Sequence, residues 1–419
     1  MASATQQTEV TEYDSGLDEI TREMATPELR QNPYPLYARM RREHPVYRSS
    51  QGIWYLTRYA DVEAALHDLR LSSDRERALH AWAARRGVME RVSRLGQRMG
   101  RSMLSADPPD HTRLRRLVNK AFTARRVQGL RPRIETIVAE LLDAAISAGP
   151  TMDLIAALAY PLPITVICEL LGVPSSDRGR IRAWSRLFVD EALNPYLTEE
   201  GIGRAELAVE EFEGYLRDLV RKRRAQPADD ILSALVTVAE RGDQLTDDEL
   251  VATCFLLLLA GHETTINLIS NGTLTLLRHP DQLRRLQQDP TLIRPAVEEL
   301  LRYDSPVQAV SRVVAEPLEV GGCTLSDGDL VLPMLGAANH DPDRFGDPDR
   351  LDLSRRDNRH LSFGNGSHFC LGAPLARLEG EVAIGALVRR LPRLRLDTDS
   401  LQWRPSVMLR ALETLPVAY

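Results

Sequence analysis

The sequence predicts a mainly α-helical domain with small β-sheets. Helical periodicity dominates residues 109–306, the strand-like segments are short and lie near the two ends, and strands and helices do not alternate in a βαβ pattern. With 419 residues, of which 43% are hydrophobic and 27% charged, the chain can bury a large core. We expect a polar N-terminal extension over 1–30 and a single domain over 31–419.

The first third of the chain contains a hairpin and a long irregular segment. Residues 46–48 and 53–57 flank a Ser-Ser-Gln-Gly turn, which is typical of a hairpin, and 61–68 is predicted to be a short helix. Residues 75–106 are polar, rich in arginine and weakly periodic, as functional loops often are. Further helices are expected over 110–122, 127–147, 164–171, 177–191 and 200–224.

The best-defined helix begins after Thr246. Thr246 and Glu249 form a T-x-x-E capping box, and the apolar pattern continues until His279 and Pro280 end it. Its centre reads A-G-H-E-T-T over 260–265. A helical glycine costs about 1 kcal/mol relative to alanine, and a buried carboxylate costs more unless it is paired. This interruption of a core helix therefore indicates a function.

The C-terminal third combines short strands with a conspicuous cysteine loop. Strands are predicted over 312–314, 318–320 and 330–332, and a helix over 375–390. Just before this helix, residues 363–372 read F-G-N-G-S-H-F-C-L-G, where the glycines let the backbone turn tightly and approach a flat partner. The helix N-terminus favours a thiolate at Cys370. Such a thiolate is suited to three roles: nucleophile, zinc ligand or haem ligand.

Charge and cysteine content exclude other classes. The net charge is −6, whereas nucleic-acid-binding domains are usually basic, so we expect no nucleic-acid partner. The four cysteines form no C-x-x-C pair, which fits a reducing cytoplasm. No apolar signal core occurs in 1–18, and the strongest apolar run, 251–260, is shorter than the roughly 20 residues of a bilayer span. We expect a cytoplasmic protein without a membrane anchor.

The cysteine loop resembles the cysteine-ligand loop of the cytochrome P450 family. It matches F-G-x-G-x-H-x-C-x-G at every fixed position: Phe363, Gly364, Gly366, His368, Cys370 and Gly372. The resemblance implies the P450 fold, in which a long central helix crosses over the haem. It also implies haem b as the cofactor, Cys370 as the axial iron ligand, and Phe363 and Gly364 as residues of the cofactor-binding loop.

Other segments resemble the same family in the same order along the chain. The E-x-x-R at 299–302 is similar to its structural ion pair, whose third member is either Arg344 or Arg355. Residues 107–115 resemble the family's D-P-P-x-H-x-x-x-R segment. The haem propionate partners that the resemblance implies are His111, Arg115, Arg312 and His368.

The resemblance also gives the interrupted helix a chemical role. Glu263 and Thr264 occupy the family's acid–alcohol position, which relays protons to dioxygen, and Ala260 and Gly261 are small enough for dioxygen to lie beside the helix. The residues alone leave two alternatives: Glu263 in an ion pair on the helix face, and the Thr264 hydroxyl bonded to its own helix backbone.

The implied activity is monooxygenation of a hydrophobic small molecule, such as a macrolide, polyketide, fatty acyl chain or sterol, by O2. Alternatives are oxidative coupling, desaturation, peroxide-driven oxidation and a non-catalytic haem sensor. Electrons are expected from an external ferredoxin and its reductase. The ferredoxin would dock on a basic patch of Arg113, Arg116, Arg125, Arg126 and Arg377, or these arginines are simply solvated. Substrate contacts are expected at 75–104, 188–197, 257–260, 307–310 and 407–408.

Overall fold

The computed structural model describes residues 18–24, 26–74, 77, 102–192, 199–239 and 244–419. Helices make up most of this part of the chain. They are α1 Glu19–Met24, α2 Pro27–Gln31, α3 Tyr34–Glu43, α4 Tyr59–His67, α5 Asp110–Ala121, α6 Ala124–Gly129, α7 Arg131–Ala148, α8 Pro161–Leu170, α9 Arg178–Ala192, α10 Glu199–Ala225, α11 Ile231–Ala239, α12 Asp247–Arg278, α13 Pro280–Gln288, α14 Ile293–Tyr303, α15 Leu335–Ala338 and α16 Ala373–Arg390.

Short strands form three small sheets. The five-stranded sheet has the order β1-β2-β8-β5-β3, with β2 parallel to β8 and the other pairs antiparallel. A second sheet has the order β4-β10-β9, and β6 pairs with β7. The strands are β1 Val46–Arg48, β2 Ile53–Leu56, β3 Leu71–Ser72, β4 Thr151–Asp153, β5 Arg312–Val314, β6 Leu318–Val320, β7 Cys323–Leu325, β8 Leu330–Pro333, β9 Arg395–Leu396 and β10 Pro416–Ala418.

Helix α12 is the centre of the helical layer. Its capping box is present as predicted, with the Thr246 hydroxyl accepting from the Glu249 N–H and the Glu249 carboxylate accepting from the Thr246 N–H. It packs against α8, α10 and α16. Among the described helices, it is the one long and apolar enough to span a bilayer, but 67% of its most apolar window is buried inside the protein. It is therefore a core helix.

Most predicted elements are present with shifted ends. The segment expected as one helix over 127–147 is two helices, α6 and α7, and Pro132 lies in the first turn of α7, where a missing N–H costs nothing. Helix α8 begins at Pro161, before the predicted start at 164, for the same reason. Most of the loop predicted over 75–106 lies outside the described residues.

Part of the segment predicted as an N-terminal polar extension over 1–30 packs against the following helix. Ile20 and Met24 are buried, and they lie in one cluster with Leu36, Tyr37 and Met40 of α3. Helix α1 therefore contributes one apolar face to the packed structure, and Leu29 of α2 packs partly against the same cluster. Residues 1–17 lie outside the described part of the chain.

Candidate active site

The cysteine loop presents Cys370 at the start of α16. The Cys370 N–H donates to the Phe363 carbonyl over 2.9 Å, which closes the loop. Gly366 has φ +70°, and a Cβ there would lie 2.7 Å from the Leu66 carbonyl oxygen, so this turn requires glycine. Burial raises the pKa of the Cys370 thiol, and the N–H groups of Gly372 and Ala373 act in the opposite direction. The loop thus aims backbone donors at the sulfur.

A cationic cluster adjoins the loop. His111 and His368 have ring centroids 4.1 Å apart, and the Arg115 guanidinium donates to the Phe369 carbonyl over 2.5 Å. Burial and the charges of His111, Arg312 and Arg115 lower the pKa of His368 to about 3. Nitrogen donors from α5, β5 and the cysteine loop therefore converge on one place.

Within the described part of the chain, the groups of this cluster form no hydrogen bond or ion pair with a carboxylate. Asp107 is close enough to raise the pKa of His111 and of Arg312, but its carboxylate accepts from Ser72 and Ser73 instead. His111 is 2% exposed, and neither of its ring nitrogens has a hydrogen-bond partner among the described residues. Within that same part of the chain, neither Arg115 nor Arg312 is ion-paired to a carboxylate, and Arg312 donates to the Ser311 carbonyl over 2.8 Å. A buried polar group without a partner costs about 1–3 kcal/mol. The cluster is therefore incomplete without an anion.

Helix α12 has an exposed stretch at its middle. Ala260 is exposed, and Gly261 and Thr264 are partly exposed, whereas residues 256–258 and 265–276 are buried. Ala260 and Thr264 are four residues apart and share a face. Gly261 also has a packing role, because a Cβ there would lie 2.8 Å from Cγ1 of Ile167. Its small size permits close packing against α8.

The acid and the alcohol of α12 both have protein partners. The Thr264 hydroxyl donates to the Ala260 carbonyl over 3.1 Å, and the helix is continuous there. The Glu263 carboxylate lies 3.2 Å from Nη1 of Arg404 and 3.5 Å from Nε2 of His262. Burial acts to raise the pKa of Glu263, but His262 and Arg404 outweigh it and lower the pKa to about 2. Glu263 is therefore ionised in this structure.

The E-x-x-R pair is complete and buried. Glu299 accepts from Arg302 over 2.8 and 2.9 Å, and from Nε of Arg355 over 3.2 Å. Both Glu299 and Arg302 have side chains 0% exposed. Arg344 instead pairs with Asp357 near the surface, over 2.8 Å. The third member of the cluster is thus Arg355, a choice that the sequence left open.

Comparison with known proteins supports one assignment. The family model described as cytochrome P450 matches residues 182–404. The chain is 48% identical to cytochrome P450 107B1 of Saccharopolyspora erythraea, covering 92% of this chain and 95% of that protein. It is 44% identical to cytochrome P450 monooxygenase PikC of Streptomyces venezuelae, covering 93% and 91%.

The fold agrees with the sequence match. The solved structure of the myxobacterial cytochrome P450 CYP267B1 in complex with myristic acid superposes with a TM-score of 0.88 at 43% identity, covering 95% of this chain and 98% of that one. The chain belongs to the cytochrome P450 family. It is a P450 monooxygenase, and the family implies a haem-thiolate iron.

The residues of this P450 fit such a cofactor. Haem carries two anionic propionates, and the incomplete cluster offers nitrogen donors from His111, Arg115, Arg312 and His368. The thiol of Cys370 lies close enough to the Arg115 guanidinium for each to affect the other's pKa. A donor set with an anion missing, next to a cysteine on a glycine-rich loop, is what a haem with an axial thiolate requires.

The segments expected to contact substrate meet around the C-terminal turn. The Gln308 N–H donates to the Met408 carbonyl over 2.8 Å, and Val307 pairs with Leu409, which brings 307–310 and 407–408 together. A cavity of about 250 Å³ adjoins this turn; its lining residues are Val189, Asp190, Arg404, Pro405, Ser406, Leu409, Ala411 and Glu413. Residues 193–197 and most of 75–104 lie outside the described residues.

The expected basic patch is partly neutralised within the chain. Arg113 is paired with Glu249, Arg126 with Asp229 over 2.7 Å, and Arg377 with Glu298 over 2.6 Å. The patch is thus less basic than the sequence alone indicates.

Sequence reasoning missed Arg404, which lies at the site, and Glu379, a buried carboxyl on the helix that follows the cysteine loop. Arg404, which holds Glu263 and also pairs with Asp190 of α9, lies in no motif and is brought there by the fold. Glu379 of α16 is 0% exposed, and within the described structure neither carboxyl oxygen has a hydrogen-bond partner. Burial raises the pKa of Glu379 well above its usual value, which the nearby Thr265 hydroxyl offsets only in part. Glu379 lies on the same face of α16 as Leu375, Leu378 and Ala383, and this position in an apolar stripe would have predicted its burial.

Proposed function

We propose that Cys370 is the axial ligand of haem b and that the protein inserts one oxygen atom of O2 into a C–H or C=C bond of a hydrophobic small molecule. For hydroxylation the balance is substrate plus O2, two electrons and two protons, giving alcohol plus water. The observation that carries the proposal is the buried cationic cluster without an anion next to the cysteine loop. Two propionates would complete it.

Each residue has a separate task in this proposal. Bound haem supplies the redox chemistry of dioxygen activation. Cys370 would hold the iron through its sulfur and supply electron density to it, and the N–H groups of Gly372 and Ala373 would stabilise the charge on the sulfur. His111, Arg115, Arg312 and His368 hold the propionates and so fix the orientation of the ring.

Protons reach the reaction along α12 in this proposal. The Thr264 hydroxyl lies on the open face beside Ala260, and it delivers a proton when it turns away from the Ala260 carbonyl. Glu263 is an ionised carboxylate held by Arg404, so in this proposal it accepts a hydrogen bond from water and orients that water towards Thr264 rather than supplying the first proton itself. The ion pair with Arg404 fixes the position of this carboxylate.

We propose that the substrate lies between Ala260 and the C-terminal turn and is a natural product of the macrolide or polyketide kind. Leu409, Ala411 and Val189 give the cavity an apolar wall, and its polar groups are clustered at Asp190, Arg404 and Glu413. A spectral-shift screen of macrolactones, fatty acids and sterols identifies the class, because a substrate that displaces water from the iron changes the ferric spectrum.

Electrons are proposed to come from a ferredoxin and its reductase in the cytoplasm. Since three of the five patch arginines are already paired, we expect docking to depend only moderately on charge. Measuring the reduction rate against salt concentration with a bacterial ferredoxin checks this.

The test of the proton relay is Thr264→Ala, with Thr264→Ser as the matched control. Without the hydroxyl we expect electron consumption to continue while product per electron falls about tenfold or more and hydrogen peroxide rises. The serine variant retains the hydroxyl, so we expect it to keep most of the wild-type yield of product per electron. A wild-type yield of product per electron in the alanine variant would contradict the relay.

Product analysis with labelled O2 separates two kinds of reaction. Oxygen insertion incorporates the label into the product, whereas oxidative coupling and desaturation do not.

A further inference from the structure

Glu298 contacts both ends of the segment that carries Cys370. It lies on α14 beside Glu299, but its carboxylate points to different partners. Its Oε1 accepts from Nε of Arg377 over 2.6 Å, and its Oε2 accepts from Nη2 of Arg377 over 2.9 Å. Nε2 of His360 lies 3.1 Å from the same Oε2. Residues 360 and 377 bracket Cys370, so one carboxylate fastens both flanks of the loop.

The geometry determines the tautomer of His360. Its Nδ1 accepts the Ser362 N–H over 3.2 Å and therefore carries no proton. The ring proton is on Nε2, which donates to Glu298. The His360 side chain is 3% exposed, so without this acceptor its N–H is buried unsatisfied. This arrangement holds the chain that enters the loop at a fixed distance from α14.

Arg377 connects the carboxylate to the loop itself. Its guanidinium carbon lies 4.5 Å from the centroid of the Phe363 ring, and the Phe363 carbonyl accepts the Cys370 N–H over 2.9 Å. Arg377 is also close enough to Cys370 to favour the thiolate. A positive charge there competes with the iron for electron density at the sulfur, and a bidentate carboxylate cancels much of that charge.

We propose that Glu298 is a positioning residue for the axial sulfur: it fastens both flanks of the loop and neutralises Arg377, which keeps the sulfur a strong electron donor. The inference rests on the proposed role of Cys370 as the iron ligand. It assigns to Glu298 a task separate from that of Glu299, which is fully occupied by Arg302, Arg355 and Asn358.

The experiment measures the ferric–ferrous reduction potential of the haem-loaded protein in four variants. Glu298→Gln leaves Arg377 unneutralised, so we expect a positive shift of the potential. Arg377→Gln leaves Glu298 unneutralised, so we expect a negative shift. The double variant Glu298→Gln/Arg377→Gln has neither charge, and its potential is expected to lie closer to wild type than that of either single variant.

The fourth variant, Glu381→Gln, is the control. Glu381 lies on α16 like Arg377 and pairs with Arg131 over 2.7 Å, but it contacts neither His360 nor Phe363. We expect no shift from it. Glu298 and Arg377 are 30% and 33% exposed, so solvent reduces the shifts of their variants, and lowering the salt concentration enlarges them.

The outcomes separate the two proposals. A purely structural role predicts that the double variant is at least as perturbed as the worse single one, and this result overturns the assignment of Glu298. If Glu298→Gln does not fold, the sign of the Arg377→Gln shift decides: a negative shift supports the inference, and a zero or positive shift overturns it. If wild type itself lacks a thiolate-type ferrous carbon monoxide spectrum, the proposed ligand Cys370 fails, whatever the variants do.

Discussion

Two clusters of buried charged side chains in this P450 differ in how completely they are paired. In the Glu299 cluster, the carboxylate accepts hydrogen bonds from Arg302, Arg355, the Asn358 amide and the Asp352 N–H. In the His111 cluster, His368, Arg115 and Arg312 surround a histidine that has no hydrogen-bond partner in the described structure. Both clusters were predicted from motifs of the same family.

The difference separates structural charge from functional charge. In a fully paired buried cluster, every donor and acceptor is used within the protein, so the cluster holds the fold together and offers no group to a ligand. A buried set of donors without an acceptor is unfavourable on its own, and it is explained by a ligand that supplies the acceptor. In the P450 family that ligand is haem, and its carboxylates have the required sign.

The largest effect is expected from breaking the complete cluster. Arg302→Met leaves Glu299 buried without its main partner, so the free energy of unfolding should fall by about 3–5 kcal/mol. Urea unfolding followed by circular dichroism measures it. The control Arg344→Met removes an exposed ion pair with Asp357 and should cost about 1 kcal/mol or less. Equal losses in the two variants would contradict the comparison.

A substitution in the His111 cluster should have the opposite effect: it should weaken haem retention and leave the stability of the haem-free chain nearly unchanged. Arg312→Gln removes a buried cation that is ion-paired to no carboxylate among the described residues, so the haem-free chain should lose little stability, because the cost of burying the charge is removed with it. Haem retention should weaken by about 10- to 100-fold, the value of a hydrogen bond to a charged group. The rate of haem transfer to excess apomyoglobin measures this, with Arg344→Gln as control. Unchanged retention would remove Arg312 from the site.

A smaller effect sharpens the comparison, since Glu379 is a buried carboxyl that forms no ion pair with any described residue. Burial raises its pKa in the folded state above the ordinary value of 4.5, so the folded protein keeps a proton that the unfolded chain releases. Its contribution to stability is therefore present below that ordinary pKa and is lost as pH rises, by about 1.4 kcal/mol per pH unit until the folded-state pKa is reached.

Glu379→Gln removes this titration. The free energy of unfolding of the variant should rise relative to that of wild type as the pH increases above about 4.5, the ordinary pKa of the carboxyl. Glu381→Gln on the same helix, where the carboxylate is ion-paired with Arg131, is the control for the substitution itself. A constant difference between wild type and Glu379→Gln would show that the carboxyl is ionised in the fold.

The sequence predicted the elements and the contacts that are local in the chain. The capping box of α12, the cysteine loop, and His111 with Arg115 one turn apart are each readable from a few neighbouring residues. What it could not predict depends on contacts between distant segments. Arg404 meets Glu263 across 141 positions, and Arg355 was indistinguishable from Arg344 until the chain between 344 and 358 had folded around Glu299. The close packing of Gly261 against Ile167 was also not predictable, because Ile167 lies on another helix.

The most direct test of the account is the absorbance spectrum of the purified protein, expressed with ample haem, after reduction and addition of carbon monoxide. We predict the long-wavelength band of a thiolate-bound haem, and its loss in Cys370→His while the circular dichroism of the fold is retained. A wild-type band at the shorter wavelength of an imidazole-bound haem, or a preparation without pigment, would contradict the assignment of Cys370.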